Sequence, residues 1–178
     1  AFAAGSASQA QYFAKRGHIV AIQDTRGRYA SRNEGLWMGY DDGNQSRDGY
    51  DTIEWLGTQS WSTGKVVMYG HSYPAVMIYA AAAENPPHFA GAIVSAAHSD
   101  YAAKGLRNNG AFEMRFFNYA FMMAKDGNRY LDGHPEIDAA LENAYKNENM
   151  YALLDKWPIK RGETLRFGVR EVSFSDRL

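Results

Sequence analysis

Ser72 stands between a strand-forming run and a helix-forming run, in the segment Tyr69-Gly70-His71-Ser72-Tyr73-Pro74-Ala75. A serine on a tight strand-to-helix turn has its hydroxyl lifted above the sheet edge, with the N–H groups of the following helix behind it for a developing oxyanion. The chemistry this setting suits is acyl transfer, in which the hydroxyl attacks an ester or amide carbonyl. Gly70 supplies the small residue that close approach of strand and helix requires. Pro74 takes the place of the second glycine of a strict G-x-S-x-G pattern. Proline suits the first helical turn, where its missing N–H would have no intrahelical partner, and Ala75 supplies a small residue one position later. The competing reading is a serine that merely caps the helix, a role for which serine is favoured. The strand-turn-helix setting favours the catalytic reading.

The elements around this turn follow from residue spacing. Ala10, Phe13 and Ala14 recur at helical spacing, so residues 9–16 read as the end of a helix stopped by Gly17. His18–Gln23 is a short β-branched apolar run, expected as a strand buried on both faces of a parallel sheet. Asp24–Ser46 is rich in Gly, Asp, Asn, Ser and Arg and reads as a long loop at the strand's carboxyl end. Tyr50, Ile53, Trp55 and Leu56 predict a helix from Asp48 to about Gly57. Lys65–Tyr69 is a second buried strand, Pro74–Glu84 an alanine-rich helix stopped by Asn85-Pro86-Pro87, and Phe89–Ser95 a third strand. Helices alternating with strands over short connections predict an α/β fold with a parallel sheet. Beyond Asp100 the pattern changes. Phe112–Ala124 and Glu136–Leu154 read as helices, and no strand pattern returns before Leu165–Phe174. The expected organisation is a sheet-based core over residues 1–103 and a helical cap or lid over 104–178.

Five blocks carry a resemblance to a known family: Tyr12–Gly17 (YFAKRG), Ile22–Gly27 (IQDTRG), Asp48–Trp55 (DGYDTIEW), Ser60–Val66 (SWSTGKV) and Met68–Tyr73 (MYGHSY). In this order they resemble the peptidase family that contains X-Pro dipeptidyl-peptidases, cocaine esterase, α-amino-acid ester hydrolases and glutaryl acylases. The resemblance is close from about Tyr12 to Tyr101 and fades beyond. It implies an α/β-hydrolase core and a serine hydrolase working through an acyl-enzyme on a small ester, an amide or a short peptide. Ser72 would be the nucleophile and the backbone N–H of Tyr73 one oxyanion donor. A tyrosine on an earlier strand would be the other donor, and the family's acid and histidine would follow the cap. All three are expected outside this chain, which should therefore be inactive alone. The family pattern at the elbow is G-x-S-Y-x-G, so Pro74 falls on its free position and Ala75 replaces its glycine.

Other residues bear on the same site. His71 should diverge from the Ser72 hydroxyl, and His18 and His88 fall at a strand start and in a connection. His98 and His134 are the histidines with any reach, and Asp100 or Asp132 with His134 would make a set in the Ser, acid, His order. A loop histidine is the better default. Asp24 and Arg26 lie at a strand's carboxyl end, where open α/β sheets bind ligands, and read as a local ion pair bracing the long loop. Thr63-Gly64-Lys65 lacks the Ser or Thr and the helix of a phosphate-binding loop, and the Asp41 and Asp126 turns lack the spacing of a calcium loop. The aromatic cluster Phe112, Phe116, Phe117, Tyr119 and Phe121 reads as core between helices, or as a wall of an acyl site. A catalytically silent binding or scaffold module of the same fold is the alternative from a different class. A complete reading frame lacking both the acid and the histidine would decide for it.

Composition sets the remaining bounds. The chain has 178 residues, enough for one domain, and its 46% hydrophobic and 14% aromatic content suits a packed core. Nineteen basic residues against 20 acidic ones give a net charge of -1, so no basic footprint for nucleic acid is present. With Cys 0 there is no disulfide, thiol nucleophile or thiolate metal site, and the compartment stays open. The longest apolar runs fall short of the roughly 20 residues a membrane span needs. No metal or organic cofactor is implied. The chain opens at Ala1 without a basic and then apolar leader, which reads as a cut end. An unfinished sheet should expose a strand edge, so the isolated chain is expected to associate or to be poorly soluble.

Overall fold

In a computed structural model of the chain, residues 2–31, 44–98, 107–109, 111–113, 139, 143, 164–167 and 170–173 are described. Helix α1 spans Phe2–Ala14 and ends in a turn closed by Gly17 at φ 86. Only glycine reaches that left-handed conformation without a Cβ penalty, which accounts for the helix stop. Helix α2 spans Asn44–Thr58, strand β1 Val66–His71, helix α3 Tyr73–Ala83 and strand β2 Phe89–Ser95. β1 and β2 are parallel, with Val67 opposite Gly91 and His71 opposite Ser95, and α3 is the crossover between them. This is the β-α-β unit of an α/β fold.

The core forms where α3 meets α2 and the strands. Ile53 of α2 is buried, as are Ala75, Val76, Ile78 and Ala81 of α3. The two helices approach through small residues. A Cβ on Gly49 would lie 2.5 Å from Ala81 Cβ, so glycine sets the distance between the helix axes. Successive β1 side chains point to opposite faces of the sheet. Gly70 faces the start of α3, whereas Tyr69 faces the other way and packs on Phe13 of α1 with ring centroids 5.7 Å apart. Helices therefore flank both faces of β1.

Several expectations are corrected. His18–Gln23 belongs to no strand, and Ile19, Val20 and Ile22 are 65%, 37% and 58% exposed, not buried on two faces. Apolar β-branched residues favour extended backbone, but a strand exists only where a neighbour completes its ladder. Among the described residues no strand lies beside this run. Of the expected Asp24–Ser46 loop, Asn44–Ser46 belong to α2, Tyr29–Ser31 form a single 3-10 turn, and residues 32–43 lie outside the described residues. Arg107–Asn108 (β3) and Ala111–Phe112 (β4) pair antiparallel, so Phe112 ends a hairpin where a helix was expected to begin. Thr164–Phe167 (β5) and Arg170–Ser173 (β6) form a second antiparallel pair, close to the expected Leu165–Phe174 strand. Apart from Phe112 and Glu113, which are not helical, and positions 139 and 143, which are, the two long helices expected of the cap lie outside the described residues, as do His134, Asp100, Asp132 and most of the aromatic cluster. Among the described residues no helix is long and apolar enough to cross a membrane.

Candidate active site

Ser72 occupies the single position between the last residue of β1 and the first of α3. Its backbone lies at φ 60 and ψ −126, a region that costs a non-glycine residue on the order of 1–3 kcal/mol. Three backbone hydrogen bonds hold it there. The Ser72 N–H donates to the Ser95 carbonyl of β2 at 2.9 Å, and its own carbonyl accepts from the N–H groups of Ala75 and Val76 at 2.9 and 3.3 Å. The chain thus reverses sharply enough to start α3 directly against the strand it has just left.

Gly70 shows how tight that reversal is. A Cβ at this position would lie 2.7 Å from the Pro74 carbonyl carbon and 2.8 Å from the Ala75 nitrogen, both backbone atoms unable to move aside. Pro74 sits in the first turn of α3, where no backbone donor is needed, and Ala75 is completely buried. Alanine at the family's second glycine position therefore fits the fold.

The capping reading of Ser72 fails on geometry. Ser72 is the N-cap residue of α3, yet its side chain makes no capping hydrogen bond and is exposed. The hydroxyl is presented to solvent at the carboxyl end of β1 and is not consumed by the helix. Tyr73 is the first residue of α3, so its backbone N–H points back toward the helix start, on the positive end of the helix dipole.

His71 and His88 lie at opposite ends of the β1–β2 pair. His71 turns away from Ser72, as expected from strand alternation, and its Nδ1 is hydrogen-bonded to Ser95 Oγ at 3.1 Å. His88 is engaged at the amino end, where its backbone N–H donates to Glu54 Oε1 at 3.0 Å and its Nδ1 lies 2.7 Å from Glu54 Oε2. The Glu54 carboxyl is held below its ordinary value of 4.5, first by the His88 backbone N–H and further by the imidazole's hydrogen bond and charge, with partial burial opposing. His18 packs edge-on to Phe13, and His98 is exposed. No described histidine is hydrogen-bonded to the Ser72 hydroxyl.

The Asp24 and Arg26 expectation is half right. Arg26 forms an ion pair, but its partner is Asp48, bonded through Nε at 2.9 Å and Nη2 at 2.5 Å, while Asp24 accepts the Ala30 N–H at 3.1 Å. The guanidinium fork fits a carboxylate on α2 better than one two residues away on its own loop. These side chains line a cleft of about 220 Å³ with Gln23, Ser31, Asp51 and Thr52. A second cleft, of about 260 Å³, lies between α1 and Tyr69. Neither includes Ser72, which stands on an open rim. Sequence reasoning missed Ser95, Asp48 and Glu54. Each acts through a partner more than 20 residues away, and no local pattern marks such a pairing.

A family model described as X-Pro dipeptidyl-peptidase (S15 family) matches residues 2–167, almost the whole chain. The chain belongs to this family. The S15 match runs past Tyr101, where the sequence resemblance was expected to fade. Over 70 residues the chain is 41% identical to cocaine esterase from Rhodococcus sp. (strain MB1 Bresler), a stretch covering 39% of this chain and 12% of the esterase. A crystal structure of a CocE/NonD family hydrolase from Staphylococcus aureus aligns at a TM-score of 0.47 and 26% identity, covering 67% of this chain and 21% of that one. This S15 family chain thus spans about an eighth to a fifth of the length of these relatives.

Proposed function

We propose that the protein is a serine hydrolase acting on ester or amide bonds of small molecules or short peptides through an acyl-enzyme, with Ser72 as nucleophile. The observation that carries this reading is the backbone of Ser72: a costly positive φ that leaves the hydroxyl exposed and uncapped at the carboxyl end of a parallel strand. Such strain persists only where the surrounding structure imposes it, and it gathers at functional turns. Membership of the S15 family supports the same chemistry.

The Ser72 oxygen adds to the substrate carbonyl carbon as its proton passes to a base. The tetrahedral oxyanion collapses, the alcohol or amine leaves with a proton, and water then cleaves the acyl–Ser72 ester. The Tyr73 backbone N–H is one donor to the oxyanion. A serine hydroxyl without an adjacent base is a poor nucleophile, and none of the described histidines supplies one. In this reading, further, the base is not among residues 1–178, which are then inactive alone. The test uses an activated ester and the protein expressed from its full reading frame. A burst of leaving group equal to the enzyme concentration is expected, followed by slower turnover, and Ser72→Ala should lower the rate by at least ~10⁴-fold. Residues 1–178 should match that variant. An undiminished burst from Ser72→Ala would remove the assignment.

A further inference from the structure

Ser95 reaches the elbow from the neighbouring strand in two ways. Its carbonyl accepts the Ser72 N–H at 2.9 Å, and its hydroxyl is hydrogen-bonded to His71 Nδ1 at 3.1 Å. His71 and Ser95 are the last pair of the β1–β2 ladder. Immediately beyond them both strands turn through positive φ at residues that are not glycine, 60 at Ser72 and 53 at Ala96. Two strained turns therefore lie side by side, and Ser95 precedes one while bonding to the other. Of the three backbone bonds at Ser72 two lie within the start of α3, and the one from the Ser95 carbonyl ties the turn to the neighbouring strand. A second tie between the strands, one residue upstream through the His71 ring, adds to that hold.

We propose that Ser95 is a positioning residue for Ser72, holding the elbow through its carbonyl and, by way of His71, through its hydroxyl. The inference deepens the functional reading above and rests on Ser72 being the nucleophile. His71 serves here as the strand's side of the latch and not as the catalytic base. The latch is exposed, so water competes for both partners and the effect of losing it is moderate.

The experiment follows labelling of the complete protein by a fluorophosphonate, separating the maximal acylation rate from the concentration giving half that rate. Ser95→Ala and His71→Phe should each slow maximal acylation about three- to tenfold without moving the half-saturation. The double variant should be no slower than either single one, because both changes break the same bond. Ser95→Thr, which restores a hydroxyl, should recover the rate. Partial unfolding would lower the labelled fraction and leave the rate of the remainder unchanged, so it is read separately. Unaltered rates in both single variants, or losses that add in the double variant, would overturn the latch. Labelling of Ser72→Ala equal to that of the parent would overturn the nucleophile assignment, and with it the latch.

Discussion

The two ends of the β1–β2 pair are built from similar parts toward opposite purposes. Each has a histidine and one close-packed glycine. At the amino end the His88 carbonyl accepts the Val66 N–H that opens β1, and Glu54 takes both the His88 backbone N–H and its ring. Gly57 packs so closely that a Cβ there would fall within the His88 side chain. At this end Glu54 and His88 satisfy one another. At the carboxyl end His71 is tied to Ser95, Gly70 admits the start of α3, and the chain then adopts a costly φ at Ser72 that leaves a hydroxyl uncommitted. The same ladder is braced below and strained above. Bracing that opposes strain from a distance is a general arrangement at functional turns.

Substituting the glycine at each end separates the two roles. Gly70→Ala forces its Cβ to within 2.9 Å of three backbone atoms of Pro74 and Ala75, so the turn must open. Acylation of the folded protein by a fluorophosphonate should fall about 10²-fold, the scale of an approximately 1 Å misplacement. Gly57→Ala should instead destabilise the protein by about 1–3 kcal/mol in urea unfolding, through overpacking against His88, with the acylation rate of the folded fraction unchanged. If Gly57→Ala slowed acylation as much as Gly70→Ala, the division of labour between the ends would be lost.

The strand-to-helix turn at Ser72 was legible in the sequence because the signals that mark it are local. Gly70, Ser72 and Pro74 mark a turn whose tightness depends on atoms at most a few residues apart, and the observed α3 and β2 lie within a residue or so of the expected runs. What local spacing does not encode is which distant group completes a bond. His18–Gln23 has strand composition but no ladder, and Arg26 pairs with Asp48 in preference to the nearer Asp24. Glu54 lies 34 residues before His88, and nothing in helical periodicity marks that carboxylate as the partner of a turn histidine. The Arg107–Phe112 hairpin was likewise hidden, since two-residue strands leave no periodicity to read.

A smaller effect distinguishes the ends by pH. The Glu54 carboxyl lies below 4.5 in the folded protein, so its interaction with His88 stabilises the fold above about that pH and is lost as pH falls through the lowered folded value. Glu54→Gln should therefore be less stable than the parent near neutrality, and the two unfolding midpoints should converge as the solution is acidified below 4.5. A constant gap across that range would show that the charge contributes nothing. The carboxyl end, by contrast, should be indifferent to this substitution in its acylation rate.

A crystal structure of the complete protein after reaction with a phosphonate inhibitor tests the central claim most directly. The expected result is continuous density from the Ser72 oxygen to phosphorus, φ at Ser72 still near 60, and a phosphoryl oxygen within roughly 2.7–3.1 Å of the Tyr73 backbone nitrogen. An adduct on another residue, or a Ser72 whose backbone has relaxed into the helix with its hydroxyl capping α3, would contradict it.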